Sequence, residues 1–222
     1  SSSVIYDRAV PTLSAVTVTS NNDNSAYAKE GDIVTLSFTS SENLQSDPTV
    51  TMDGNAATVS GSNTSWTAAY TMQSGDTEGD VNFTIDFLDL ASNSGSRVTT
   101  LTSGDKIVYD ETVPTLPTVD ISSNNSNGAT FAKVGDVITI SVSASENIQT
   151  PTVTIAGNAA AIATGSNGER VYTATYTMQS SDNTGVIPFT VDFSDMANNA
   201  GTQVTAVAND SDGGVTFDKQ AP

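Results

Sequence analysis

The same carboxylates occur twice along this chain at matched places. Asp7, Glu42 and Asp89 are answered by Asp110, Glu146 and Asp195, and Asn93 and Asn199 follow the last of each set by four residues. Asp218 repeats the setting of Asp7 and Asp110 a third time. Carboxylate and amide oxygens without imidazole or thiolate make the donor set of a hard cation. Calcium (Ca²⁺) takes such oxygens at irregular geometry, whereas magnesium demands a small octahedron and keeps its waters. Three carboxylates about 5 Å apart repel by about 3 kcal/mol per pair at an effective dielectric near 20. Calcium is therefore the expected occupant if the fold brings each set together. The alternative is that these residues are solvated turn formers, Asn and Asp being suited to left-handed and Asx turns.

The elements that would gather them follow from a repeat. AKEGDIVTLSFTSSENLQ (28–45) returns as AKVGDVITISVSASENIQ (132–149), displaced by 104 positions. IDFLDLASNSG (85–95) returns as VDFSDMANNAG (191–201), displaced by 106. The drift falls in Gly/Ser/Asn-rich stretches, as loops absorb insertions that strands do not. YDRAVP (6–11), YDETVP (109–114) and FDKQAP (217–222) mark the joints. Two domains are expected, 1–110 and 111–222.

Within each domain the apolar rhythm has period two, the signature of a half-buried strand. Val34, Leu36 and Phe38 alternate with Thr35 and Ser37; Trp66, Ala68, Tyr70 and Met72, and then Val81, Phe83, Ile85 and Phe87, behave likewise. The pattern predicts strands at 13–20, 32–39, 49–53, 56–60, 65–72, 80–88 and 97–109. Seven strands in about 104 residues make an all-β fold, two tandem immunoglobulin-like β-sandwiches. In that topology the start of the first strand, the loop after the second and the loop after the sixth share one pole. Each acidic triplet is expected there.

Composition narrows the function. The 222 residues hold 25 acidic and 7 basic side chains, for a net charge of −18 and a pI near 4.1. No nucleic acid is expected as partner, since phosphate needs Lys/Arg, and no membrane insertion, since no apolar run is long enough to span a bilayer. There is no Cys and no His, which removes disulfides, thiolate nucleophiles and imidazole acid/base chemistry. Paired carboxylates can cleave glycosides, but duplicate acids at structural joints do not suggest an active site. No enzyme is expected. With no secretory leader and a joint motif at each end, the chain reads as an excised part of a longer polypeptide.

Taken together, the aromatic-Asp-x-x-x-Pro joints, AK-x-GD, the SE that follows it, and D-x-A-x-N-x-G resemble the tandem Ig-like repeats of large bacterial and archaeal surface adhesins. The resemblance runs the length of the chain. It implies an extracellular extender, stiffened by calcium at domain junctions, whose partners are neighbouring repeats of the same polypeptide. A subunit of a surface lattice or sheath, such as an S-layer, suits the same features. The D-x-N-D-N linker of cadherins is missing, so one ion per junction is expected rather than three.

Smaller signals remain. Asn63, Asn82, Asn124 and Asn209 open N-x-S/T triplets. Lys29 and Lys133 raise the idea of a Lys–Asn isopeptide staple. Asp76, Glu78 and Asp80 crowd one loop whose second copy keeps only Asp182, and Asp23 has no acidic counterpart.

Overall fold

A computed structural model describes residues 6–207 and 214–220. The chain divides into two compact units, Ser1–Glu111 and Thr112–Pro222. Among the described residues there are strands and turns but no helix, and so none that could cross a membrane.

The first unit contains β1 (Leu13–Ser20), β2 (Tyr27–Ala28), β3 (Ile33–Ser40), β4 (Thr49–Met52), β5 (Asn55–Ala56), β6 (Thr58–Ser62), β7 (Ser65–Thr71), β8 (Gly79–Asp80), β9 (Phe83–Asp86) and β10 (Val108–Tyr109). One layer is antiparallel in the order β1-β3-β7-β6. The opposing layer consists of β5-β4-β9 and β2-β10-β8, with β8 and β9 as successive pieces of one strand broken at Val81–Asn82. This is an immunoglobulin-like sandwich. Alternation drives it: in β3, Val34, Leu36 and Phe38 are buried while Thr35, Ser37 and Thr39 face outward. From the facing layer, Val50, Met52, Ile85 and Phe87 are at most 4% exposed. Each such side chain contributes about 1.5–3 kcal/mol of burial.

The second unit repeats the plan with β11 (Thr118–Ser123), β12 (Phe131–Ala132), β13 (Val137–Ile148), β14 (Thr152–Ile155), β15 (Asn158–Ala159), β16 (Ala161–Thr164), β17 (Glu169–Thr177), β18 (Gly185–Val186), β19 (Phe189–Asp192) and β20 (Thr216–Phe217). Its layers run β11-β13-β17-β16, opposed by β15-β14-β19 and β12-β20-β18.

The joint motif straddles the seam in sequence. Tyr109 and Phe217 close their units as fully buried core residues, and the Tyr109 hydroxyl donates to the Gln73 carbonyl at 2.8 Å. Pro11 and Pro114 are buried at the start of the unit that follows each motif. Pro222 lies outside the described residues.

The strand expected at 97–109 does not form as one piece. Val98 exchanges backbone hydrogen bonds with Ile85 (2.9 and 3.1 Å), and only Val108–Tyr109 is strand thereafter. Between them Thr102 donates its N–H to Val16 O at 2.9 Å, and Gly104 turns the chain at φ 82°. The Ser-Gly-Asp run at 103–105 offers nothing apolar to hold a strand against the core, so the segment leaves β9 and returns at Ile107. The strand expected at 56–60 is instead two, β5 and β6. A further short strand, β2, pairs parallel with β10.

Candidate metal centre

In the first unit, backbone contacts assemble one pole. Ser41 N–H donates to Thr12 O (2.9 Å) and Thr12 N–H to Ser41 Oγ (3.0 Å), tying the end of β3 to the start of β1. Leu44 bridges to Asp89, and Gln45 N–H donates to Leu88 O at 2.9 Å, which sets the loop after β9 beside the loop after β3. Ser40 Oγ donates to the Glu42 carbonyl at 2.7 Å and fixes where Glu42 stands. Asp7, Glu42 and Asp89 thereby each present a carboxylate oxygen, all within 4.8 Å of one another. Two oxygens on one calcium, each about 2.4 Å from it, are at most about 4.8 Å apart. The donor set and its spacing fit such an ion.

Asp89 is fully buried, yet each of its carboxylate oxygens accepts a hydrogen bond. Asn93 N–H reaches Oδ1 at 2.8 Å and Asn93 Nδ2 reaches Oδ2 at 2.7 Å. Burial raises the Asp89 pKa, but hydrogen bonds from the Asn93 side chain and from the N–H groups of Asn93, Ala91 and Ser92 outweigh it. The net position is below the usual carboxylate range. Glu42 goes the other way. Desolvation, then the charges of Asp7 and Asp89, push its pKa up. The cluster therefore holds one firmly ionised carboxylate, braced from behind, and one whose charge is opposed by its neighbours. Asn93 buttresses Asp89 through its N–H groups. Asp7 spends Oδ1 on an Asx turn to Ala9 N–H at 2.9 Å.

The second unit builds the same pole. Ser145 and Thr115 repeat the β-start tie (2.9 and 3.0 Å). Ile148 bridges to Asp195, and Asn199 braces Asp195 at 2.8 and 2.7 Å. Asp195 is fully buried, and an oxygen of Glu146 lies within 4.8 Å of one of its own. Glu146 falls inside the long strand β13 rather than in the loop expected there. The register shifts between Ser143 and Ile148, so the stretch stays extended while its pairing is interrupted. Asp110 and Asp218 are placed by their own backbones, with N–H groups donating to Ala28 O and Ala132 O, each at 2.9 Å. Asp218 Oδ1 caps Gln220 N–H at 2.9 Å.

Two parts of the site escaped sequence reasoning. Gln149 Nε2 donates to Asp195 O (2.9 Å) and Asn198 Oδ1 (2.6 Å), and Gln45 Nε2 to Ser92 Oγ (2.9 Å). The glutamine ends the block found in both copies, and that repetition was the available signal. Gly95 and Gly201 lie against aromatic rings. A Cβ there would stand 2.2 Å from Phe87 Cε2 or Phe193 Cε2.

The acidic residues of the other loops have structural work. Asp76 and Asp182 each staple a loop: Oδ2 accepts from Gln73 or Gln179 N–H at 2.7 Å, and Oδ1 from Tyr70 or Tyr176 at 3.1 or 3.2 Å. Asp80 pairs with Lys106 at 3.0 Å, and Glu78 accepts from Glu111 N–H at 3.1 Å. Asp23 is exposed. Lys133 pairs with Asp136 at 3.1 Å, and its side chain is 68% exposed. Asn63, in a turn, and Asn82 and Asn124, each beside a strand end, are exposed; Asn209 lies outside the described residues.

No protein-family profile matches the chain, and no curated protein matches it in sequence. Among solved structures, the chain superposes on the I9–I11 tandem of titin with 10% identity and a TM-score of 0.34, covering 91% of this chain and 64% of that one. Rst D1–D2 gives 11% identity and 0.35, covering 91% and 100%. A protein of Corynebacterium diphtheriae described as membrane-anchored gives 11% and 0.30, covering 94% and 59%. All three superpositions are loose, and the fold class rests on the strand order itself: two immunoglobulin-like sandwiches in tandem.

Proposed function

We propose that the chain is a pair of extender repeats from an extracellular surface adhesin, stiffened by calcium at the entrance to each repeat. The observation that carries this reading is the carboxylate pole of the first unit, where Asp7, from the segment leading into the sandwich, meets Glu42 and Asp89 from its loops. By equivalence of the repeats, Asp110 is the residue that would complete the set begun by Glu146 and Asp195. An ion held by all three would tie the linking segment to the second sandwich, while Pro114 restricts the chain just beyond and biases Val113 to an extended conformation. The chemistry needed is binding alone, with no bond made or broken. A net charge of −18 keeps such repeats apart in solution.

Small-angle scattering tests the reading. Calcium is expected to narrow the spread of maximum dimension in the wild type and to leave Asp110→Asn as broad as the chelated protein, with both sandwiches folded. Identical scattering with and without calcium in both proteins would make Asp110 a turn residue only.

A lattice subunit is the second reading, and one observation favours it. The outer face of β1-β3-β7 carries Thr17, Thr19, Thr35, Ser37, Thr39 and Thr67, with no charge among them. Two such faces could approach despite the acidity of the chain. Sedimentation on adding calcium separates the readings: an extender stays monomeric, a lattice subunit associates.

A further inference from the structure

We propose that Asn127 is a self-modification site, converting to aspartate and isoaspartate faster in the folded protein than the chain's other Asn-Gly pair. Asn-Gly occurs twice, at Asn127–Gly128 and Asn167–Gly168. In such a pair the glycine nitrogen, unobstructed by a Cβ, can attack the asparagine Cγ. A Cγ–N bond forms, the Cγ–Nδ2 bond breaks, and the displaced proton leaves with the nitrogen as ammonia. The product is a five-membered succinimide. Water then opens the ring at either carbonyl. One water is consumed and one ammonia released, with no change of oxidation state.

The fold treats the two pairs differently. Asn167 Oδ1 accepts Thr150 N–H at 3.3 Å, which restrains the electrophile. Its nucleophile is tied more firmly, because Gly168 N–H donates to Ile148 O at 2.9 Å and so pins the β16–β17 turn to the end of β13. Asn127 is exposed, and its carboxamide makes no hydrogen bond among the described residues. Gly128 N–H donates only to Asn125 O, within its own short loop, at 3.2 Å. Gly128 has φ 142°, and the nearest atom to a Cβ there would be a Phe131 ring carbon at 3.6 Å, so the loop has room to turn. The first unit has Asn24–Ser25 at the matching place, where a side chain hinders the same attack.

The change would be felt locally. Asn127 N–H rests on Asn125 Oδ1 at 2.9 Å, and Asn125 Nδ2 donates to Asp136 Oδ2 at 2.5 Å. Asp136 is buried and also accepts Lys133 N–H at 2.8 Å. Conversion sets a new charge, and in isoaspartate an extra backbone methylene, beside the network that holds the turn into β13.

The test is incubation of the whole folded chain at mildly alkaline pH, followed by ion exchange and peptide mass mapping, beside a sample kept in guanidinium. In the folded protein the Asn127 peptide is expected to convert several-fold faster than the Asn167 peptide, while in denaturant the two rates converge. Asn127→Gln should melt like the wild type and lose the leading acidic species. Equal rates in the folded protein, a faster Asn167, no conversion at either, or an acidic species that persists in Asn127→Gln would overturn the proposal.

Discussion

Calcium added to chelator-treated protein is expected to raise its melting temperature, and Glu42→Gln to reverse the order of the two proteins between chelator and calcium. Without an ion, Glu42 is desolvated and sits against Asp7 and Asp89, so its folded-state pKa lies above the ordinary value. A carboxylate shifted in that direction costs the folded state stability once it is ionised, above its folded pKa. Gln removes both the desolvated charge and its repulsion from Asp7 and Asp89, so the variant should melt above wild type in chelator. With calcium the sign inverts, because the same three charges now attract the ion and the variant has lost one of them. An extracellular module of this kind binds at about 10⁻⁴ to 10⁻³ M. At about 10 mM calcium and the tighter end of that range, linkage supplies about 2.7 kcal/mol per site. For a unit of about 100 residues that is a shift on the order of 10–20 °C. Wild-type melts that coincide in chelator and calcium would defeat the account of the site.

The second large effect needs no ion. Gly95→Ala is expected to destabilise the first unit by about 1–3 kcal/mol or somewhat more, and Gly201→Ala the second by a similar amount. The added Cβ would fall 2.2 and 2.3 Å from Phe87 Cε2 and Cζ. Phe87 is 4% exposed within the core, so its ring has nowhere to go. Gly95 N–H also donates to Phe87 O at 3.1 Å, which prevents the loop from lifting away. Ser94→Ala, on the exposed side of the same loop, should stay within about 0.5 kcal/mol of wild type. Urea denaturation in chelator would measure all three. A Gly95→Ala curve lying on that of Ser94→Ala would mean that the ring and loop do not pack as described.

Sandwich strands were readable where alternation met a buried face on both sides, as at Val34-Leu36-Phe38 and Trp66-Ala68. The last strand was not. Val98 and Ile107 keep the apolar rhythm, but the Thr102 bond to Val16 and the turn at Gly104 divert the chain between them, and neither leaves a trace in hydrophobic periodicity. The acidic triplets were legible because they are repeated, and repetition brings far-separated positions such as 42 and 89 to notice together. What each neighbour does was not legible. Asn93 could have been ligand or turn former on sequence alone; only its N–H groups, directed at both oxygens of Asp89, show it bracing the carboxylate. The place of Gly95 is set by the ring of Phe87, a contact that residue identity does not announce. Trp66 and Tyr172 fill matching core positions, yet Tyr172 shares its hydroxyl between the carbonyls of Ile148 and Ser166 (2.9 and 2.6 Å), while Trp66 Nε1 is buried without an acceptor among the described residues. Polar satisfaction of that kind depends on angles that residue identity does not carry.

Whether the carboxylate triplets hold calcium can be read by calorimetric titration of the chelator-treated chain, using the wild type beside a Glu42→Gln/Glu146→Gln double variant. Saturable binding of one ion for each carboxylate triplet is expected in the wild type, and loss of that binding in a double variant that remains folded by circular dichroism. Absence of calcium binding in the wild type, or an unchanged isotherm in the double variant, would contradict it.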